Sequence, residues 1–225
     1  MLRRIRQILA VAGILLVTLL FLDFTGTLQA WFGWMAKIQF LPALLALNVA
    51  VVVGLVVLTL LLGRVYCSVI CPLGVMQDVF GWFGKKARKN RYKYSKAITW
   101  LRVTMLVVMV AALLAGAAAI VALLAPYSAY GRIAQSFFAP VWAWCNNLLA
   151  MWAESRGSYE FYTVDVWLRG WVTLAVAALT LIVLGVLAWR NGRTYCNTIC
   201  PVGTVLGFLS RFSLFRPVID TSKCN

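Results

Sequence analysis

Four cysteines stand in two matching phrases, "GRVYCSVICPLG" at residues 63–74 and "GRTYCNTICPVG" at residues 192–203. The phrases agree at eight of twelve positions, among them Cys67 with Cys196 and Cys71 with Cys200. Thiolates do two kinds of chemistry: they attack disulfides, or they coordinate soft metals. The chain has no histidine, which excludes histidine-ligated haem and histidine-containing zinc sites. Sulfur-only ligation leaves zinc or an iron–sulfur cluster. Spacing alone leaves zinc open, because zinc sites also use closely spaced cysteine pairs.

Context favours the redox centre. A structural zinc staples a small aqueous fold, whereas these phrases follow directly on long apolar runs. Four cysteines are the ligand set of one [4Fe–4S] cluster, so one cluster shared at the junction of the two phrases is expected. The competing arrangement gives each phrase a centre of its own. A four-thiolate cubane carries negative charge that is costly near a low-dielectric membrane. Arg64 and Arg193 stand three residues before the first cysteine of each phrase and are candidates to compensate it and to ease reduction. The plain alternative makes them topological anchors.

The neighbouring residues suit such a site. Proline favours the first helical turn, so Pro72 and Pro201 predict helices that leave Cys71 and Cys200 at their caps. There the dipole and free amides favour thiolate over thiol. Gly74 and Gly203 permit close backbone approach. Cys145, alone among tryptophans, reads as a small buried hydrophobe and is left out of the site.

The elements that position these phrases are membrane helices. Of 225 residues 63% are hydrophobic, and the mean hydropathy is +0.89, well above the ordinary soluble range. Four runs are long enough to cross a bilayer: residues 7–24, 40–62, 100–125 and 171–189. The expected fold is an all-α integral membrane protein of four transmembrane helices, arranged as two parallel two-helix repeats with interfacial helices. Residues 1–96 form the first repeat and 97–225 the second. The outer segment at 126–170 carries an amphipathic helix, interfacial or re-entrant. Trp31, Trp34, Trp167 and Trp171 at outer ends, with Trp100 and Trp189 at inner ends, form an interface belt; the outer group could also line a quinone-sized cleft.

Charge orients the chain. Sixteen of its 21 basic residues fall on the side that holds both phrases, and four on the other, with Arg102 inside the third run. The positive-inside rule then puts both termini and both cysteine phrases in the cytoplasm. The net charge of +15 follows from this topology and from contact with anionic lipid, worth about 1 kcal/mol per basic residue. No base-reading motif is present, so nucleic acid is not an expected partner. The basic run at 85–96 is a solvated loop, or else a docking patch for an acidic redox partner.

At the doubled phrase the chain resembles ferredoxin-type membrane iron–sulfur proteins with paired Cys-x-x-x-Cys-Pro motifs. That family includes the quinol-dehydrogenase membrane subunit of periplasmic nitrate reduction and the membrane protein of nitrous-oxide-reductase maturation. The resemblance implies electron transfer between the quinone pool and redox partner proteins, in the bacterial inner membrane, as a component of a larger system. Such proteins continue into a cytoplasmic ferredoxin-like segment. Cys224 stands where its first ligand would fall, so the chain is expected to be a fragment. A thiol–disulfide relay without metal is the rival function, and a transporter or scaffold with a structural metal is weaker still.

Overall fold

The computed structural model describes residues 2–87, 98–157, 162–166 and 170–215. The calls made on residues 88–96, Glu160, Trp167, Arg169 and Cys224 lie outside the described residues. Every regular element among the described residues is helical.

Helix α1 (Leu2–Leu22) is apolar over most of its length and stops at Asp23. That carboxylate accepts the backbone N–H groups of Thr25, Gly26 and Gln29, each at 3.0 Å, and so satisfies donors that the start of the next helix leaves free. Helices α2 (Thr27–Phe32) and α3 (Trp34–Lys37) follow. The expected span at 40–62 is two pieces, α4 (Phe40–Leu45) and α5 (Val49–Leu62). Leu47 breaks it with φ of 52°, and Asn48 restarts it by accepting the Val51 N–H.

Gly63 ends α5 with φ 71° and ψ −143°, a backbone region that only glycine occupies without strain. A π-helical turn (Tyr66–Ile70) and α6 (Pro72–Ala87) come next. The expected span at 100–125 is also broken, into α7 (Thr99–Leu114) and α8 (Ala118–Leu124), around Gly116.

Residues 126–154 of the next segment are one helical run: α9 (Pro126–Ile133), a π-helical turn (Ala134–Phe138) and α10 (Ala139–Glu154). It starts inside the core, where the Tyr130 hydroxyl is hydrogen-bonded to Thr18 of α1 and Tyr127 packs on Phe21. Along α10, Trp142 and Trp144 stand exposed. The chain then enters α11 (Trp171–Asn191), α12 (Thr194–Thr198) and α13 (Pro201–Leu209). Gly192 ends α11 with φ 73° and ψ −125°, the same backbone device as Gly63. The glycine that opens each cysteine phrase is therefore a helix stop.

Among the described residues two helices, Arg4–Leu22 and Trp171–Asn191, are long and apolar enough to cross a membrane, against four expected. Run length measures composition, and the breaks at 46–48 and 115–117 interrupt helices without interrupting hydrophobicity. Only 11% and 17% of the two apolar windows are buried, so Val172, Leu179 and Ile182 of α11 face outward.

The two phrases exchange partners. Helix α6 packs on α11 so closely that a Cβ at Gly84 would sit 2.5 Å from the Trp189 carbonyl oxygen. Beyond α13 the chain pairs with the end of α5, Leu214 N–H to Leu60 O at 2.8 Å and Phe215 N–H to Leu61 O at 3.0 Å. The helix after each phrase thus packs on the long apolar helix of the other half.

Candidate metal centre

Cys67 lies in the π-helical turn and Cys71 immediately before Pro72; Cys196 lies in α12 and Cys200 immediately before Pro201. As the spacing predicts, the second cysteine of each phrase sits at a helix start. Cys200 Sγ accepts the Gly203 N–H at 3.4 Å, and Cys71 receives the backbone N–H groups of Leu73 and Gly74. A Cβ on Gly74 would collide with the Cys67 carbonyl oxygen, and one on Gly203 with that of Cys196. Glycine at these positions lets each helix lie against the turn that carries the first cysteine.

All four thiols are buried, at 2–6% exposure, and Cys67, Cys71 and Cys200 lie within one apolar core that includes Val17, Leu73, Ile133, Leu184 and Leu206. In their charged forms they repel one another in every pairing: 67 with 71, 196 and 200, 71 with 196 and 200, and 196 with 200. The four sulfurs are therefore near enough for each to feel the charge of the others. Among the described residues no three Cys, Asp or Glu side chains converge tightly enough for a single metal ion. A cubane binds each thiolate at a different iron and takes ligands set wider apart than one ion does. Four sulfurs and no histidine are the donor set that a [4Fe–4S] cluster takes.

The first phrase packs against α1. Val69 of the first phrase lies against Gly13, halfway along α1, where a Cβ would be 3.0 Å from the Val69 carbonyl. After each stop glycine the chain turns back into the bundle before Pro72 or Pro201 starts the outgoing helix. Burial also overrules the expected thiolate stabilisation at the caps. Desolvation, with added repulsion from Cys196, pushes the Cys67 thiol up to about 12 despite Arg64 and Arg193 nearby. Burial raises Cys71, Cys196 and Cys200 as well. Metal must therefore displace protons to bind.

The two arginines brace the phrases crosswise. Arg193 grips Asp78 of α6 with both ends of its guanidinium, Nε to Oδ1 at 2.6 Å and the second bond through Oδ2. Arg64 donates to Asn197 Oδ1 and to Ser210 Oγ, the latter at 3.3 Å. Each arginine thus holds the other phrase, while its charge favours the ionised forms of Cys67 and Cys196. The charge role and the anchoring role coexist, and Asp78 offsets the charge of Arg193.

Several contributors escape sequence reasoning. Tyr66 donates to Gln39 Oε1 and accepts the Phe40 N–H, both at 3.0 Å, while Gln39 Nε2 donates to the Ile70 carbonyl at 3.2 Å. This buried knot ties the first phrase to α4. The repeated Tyr-Cys pair was its visible signal. Gln77, fully buried, donates through Nε2 to Cys196 Sγ at 3.0 Å. Cys145 is exposed, a correction to its reading as a buried hydrophobe: the tryptophans around it on α10 point outward too. Trp31 and Trp171 are likewise 80% and 83% exposed.

This burial separates metal binding from thiol exchange, which needs accessible, acidified thiols. Maleimide at pH 8 on cluster-free protein is expected to label Cys145 and to leave the four motif cysteines unmodified. Mass spectrometry of the labelled peptides reads the result, and rapid labelling of Cys71 or Cys200 would favour the relay.

Two buried cysteine pairs in a helical protein without histidine suit the iron–sulfur class. The family profile described as a 4Fe–4S binding domain matches residues 44–91 and again residues 169–219, one match over each phrase. The chain is 30% identical over 189 residues to the methylamine utilization ferredoxin-type protein MauN of Paracoccus denitrificans, covering 84% of this chain and 51% of that protein. It is 27% identical over 191 residues to the ferredoxin-type protein NapH of Escherichia coli, covering 82% and 52%. Taken together, these put the chain in the family of NapH-like ferredoxin-type 4Fe–4S proteins, with a [4Fe–4S] cluster as cofactor. The chain spans about half the length of the curated relatives it matches. No solved structure matches it.

Proposed function

We propose that this chain is a membrane electron-transfer component holding one [4Fe–4S] cluster on Cys67, Cys71, Cys196 and Cys200. It passes electrons between quinol and redox partner proteins, as part of a quinol-dehydrogenase-like system and not as a stand-alone enzyme. The observation that carries this reading is the burial of two thiols from each phrase, with Gln77 of the first repeat bonded to Cys196 of the second. Arg64 and Arg193 complete the site by bracing the phrases and offsetting thiolate charge. The chain divides into two repeats at residues 96 and 97, each of which supplies two of the four ligands.

The setting is the bacterial inner membrane, with both termini and the basic ends of the helices in the cytoplasm. Outward-facing apolar surface on α1 and α11 supports it, since water disfavours patches of that size. Two spaces suit the ends of an electron path. An apolar cavity of about 340 Å³ lies between the helix breaks, lined by Leu41, Leu113, Val121 and Tyr127 among others. Leu41 adjoins Phe40, which packs edge-on to Tyr66, the neighbour of Cys67. This is the place for the quinol ring. A cleft of about 730 Å³ runs from Arg6 and Lys85 to Ser68 and Gln77 beside the centre, on the basic side where an acidic redox protein would dock.

Protein purified without oxygen is expected to be brown, to contain iron and acid-labile sulfide, and to bleach with dithionite. Colourless, iron-free protein from cells competent in cluster assembly would overturn the reading. Filling the cavity with Leu113→Trp is expected to abolish reduction by quinol and to spare reduction by dithionite. Equal loss of both would place the quinol elsewhere.

A further inference from the structure

The polar contacts around the cysteines are not symmetric. At the position in the second phrase's helix that matches Gln77 stands Leu206, and at the one that matches Asp78 stands Gly207. Both Gln77 and Leu206 are fully buried. So one side of the centre receives a side-chain N–H at sulfur, Gln77 Nε2 to Cys196 Sγ at 3.0 Å. The matching side is packed with a leucine. The same amide also reaches back to the Leu73 carbonyl at 3.5 Å, which orients it toward Cys196. Gln77 Oε1 is buried and has no hydrogen-bond partner among the described residues, a cost a packing role would avoid by using an apolar residue.

An N–H aimed at a ligand sulfur favours whichever form of the centre carries more negative charge. One-electron reduction adds one negative charge to a four-thiolate cubane, and hydrogen bonds to its sulfurs raise its potential. The effect is large here because the amide and sulfur are both shielded from water. We propose that Gln77 sets the reduction potential of the cluster by donating its amide to Cys196 Sγ, making the second phrase the electron-accepting side. This rests on the shared-cluster reading. Gln77 touches the ligand and not the reacting partners, so it acts as a positioning and tuning residue.

The test is a potentiometric titration, followed by electron paramagnetic resonance, of wild type and of Gln77→Met and Gln77→Leu. Methionine keeps the unbranched shape, and leucine copies position 206. Each variant that retains iron and sulfide is expected to shift to a more negative potential. The expected size is about tenfold in the oxidised-to-reduced ratio, or about 59 mV for one electron. Full cluster content with an unchanged potential overturns the inference and leaves the cluster reading standing. Loss of iron from both variants, with wild type loaded, also overturns it, because Gln77 would then serve assembly. Wild type without iron removes the cluster reading itself.

Discussion

Serine at both Cys67 and Cys71 is expected to leave the chain with no iron at all, although Cys196 and Cys200 remain. All four thiols are buried, and each phrase supplies two. With two ligands gone, a cubane keeps half its protein bonds and is lost to solvent or chelator. Serine is close to cysteine in size, so the packing around 3% exposed Cys71 changes little. Circular dichroism should then report unchanged helix content. Iron and sulfide assays on the purified variant read the outcome. Retention of half the wild-type iron would mean that each phrase holds a centre alone.

The second large effect is expected from Gly74→Ala. The added methyl collides with the Cys67 carbonyl oxygen, with the carbonyl carbon at 3.1 Å and Cα at 3.6 Å. All three are backbone atoms of the turn that carries a ligand, so relief must move Cys67 itself. Overpacking of this kind costs about 1–3 kcal/mol and occasionally more. The variant should lose most of its cluster and melt earlier. Gly54→Ala is the control, because its methyl meets nothing within 4 Å. That change lies inside α5 and should stabilise by about 0.5–1 kcal/mol. Melting temperature and visible absorbance of the two variants, side by side, check the opposite signs.

These predictions draw on features of unequal visibility in the sequence. The candidate ligands were legible because sulfur chemistry admits few uses, and because the phrase occurs twice. The caps at Cys71 and Cys200 were legible from Pro72 and Pro201. The breaks in the second and third apolar runs were not, since Leu47 adopts a positive φ that no hydropathy sum registers. The packing of the first phrase against α1 was hidden for a related reason. Gly63 and Gly192 read as part of the motif, but their backbone conformation turns the chain inward. Gln77 and Asp78 escaped because attention to the repeat selects what matches, and these two residues do not match. Their importance lies in that asymmetry.

Native mass spectrometry of the intact chain, purified without oxygen, tests the central claim most directly. The account predicts one mass increment, that of a single [4Fe–4S] cluster, with four iron atoms per chain. Two such increments on one chain, or the increment of a lone zinc ion, would contradict it.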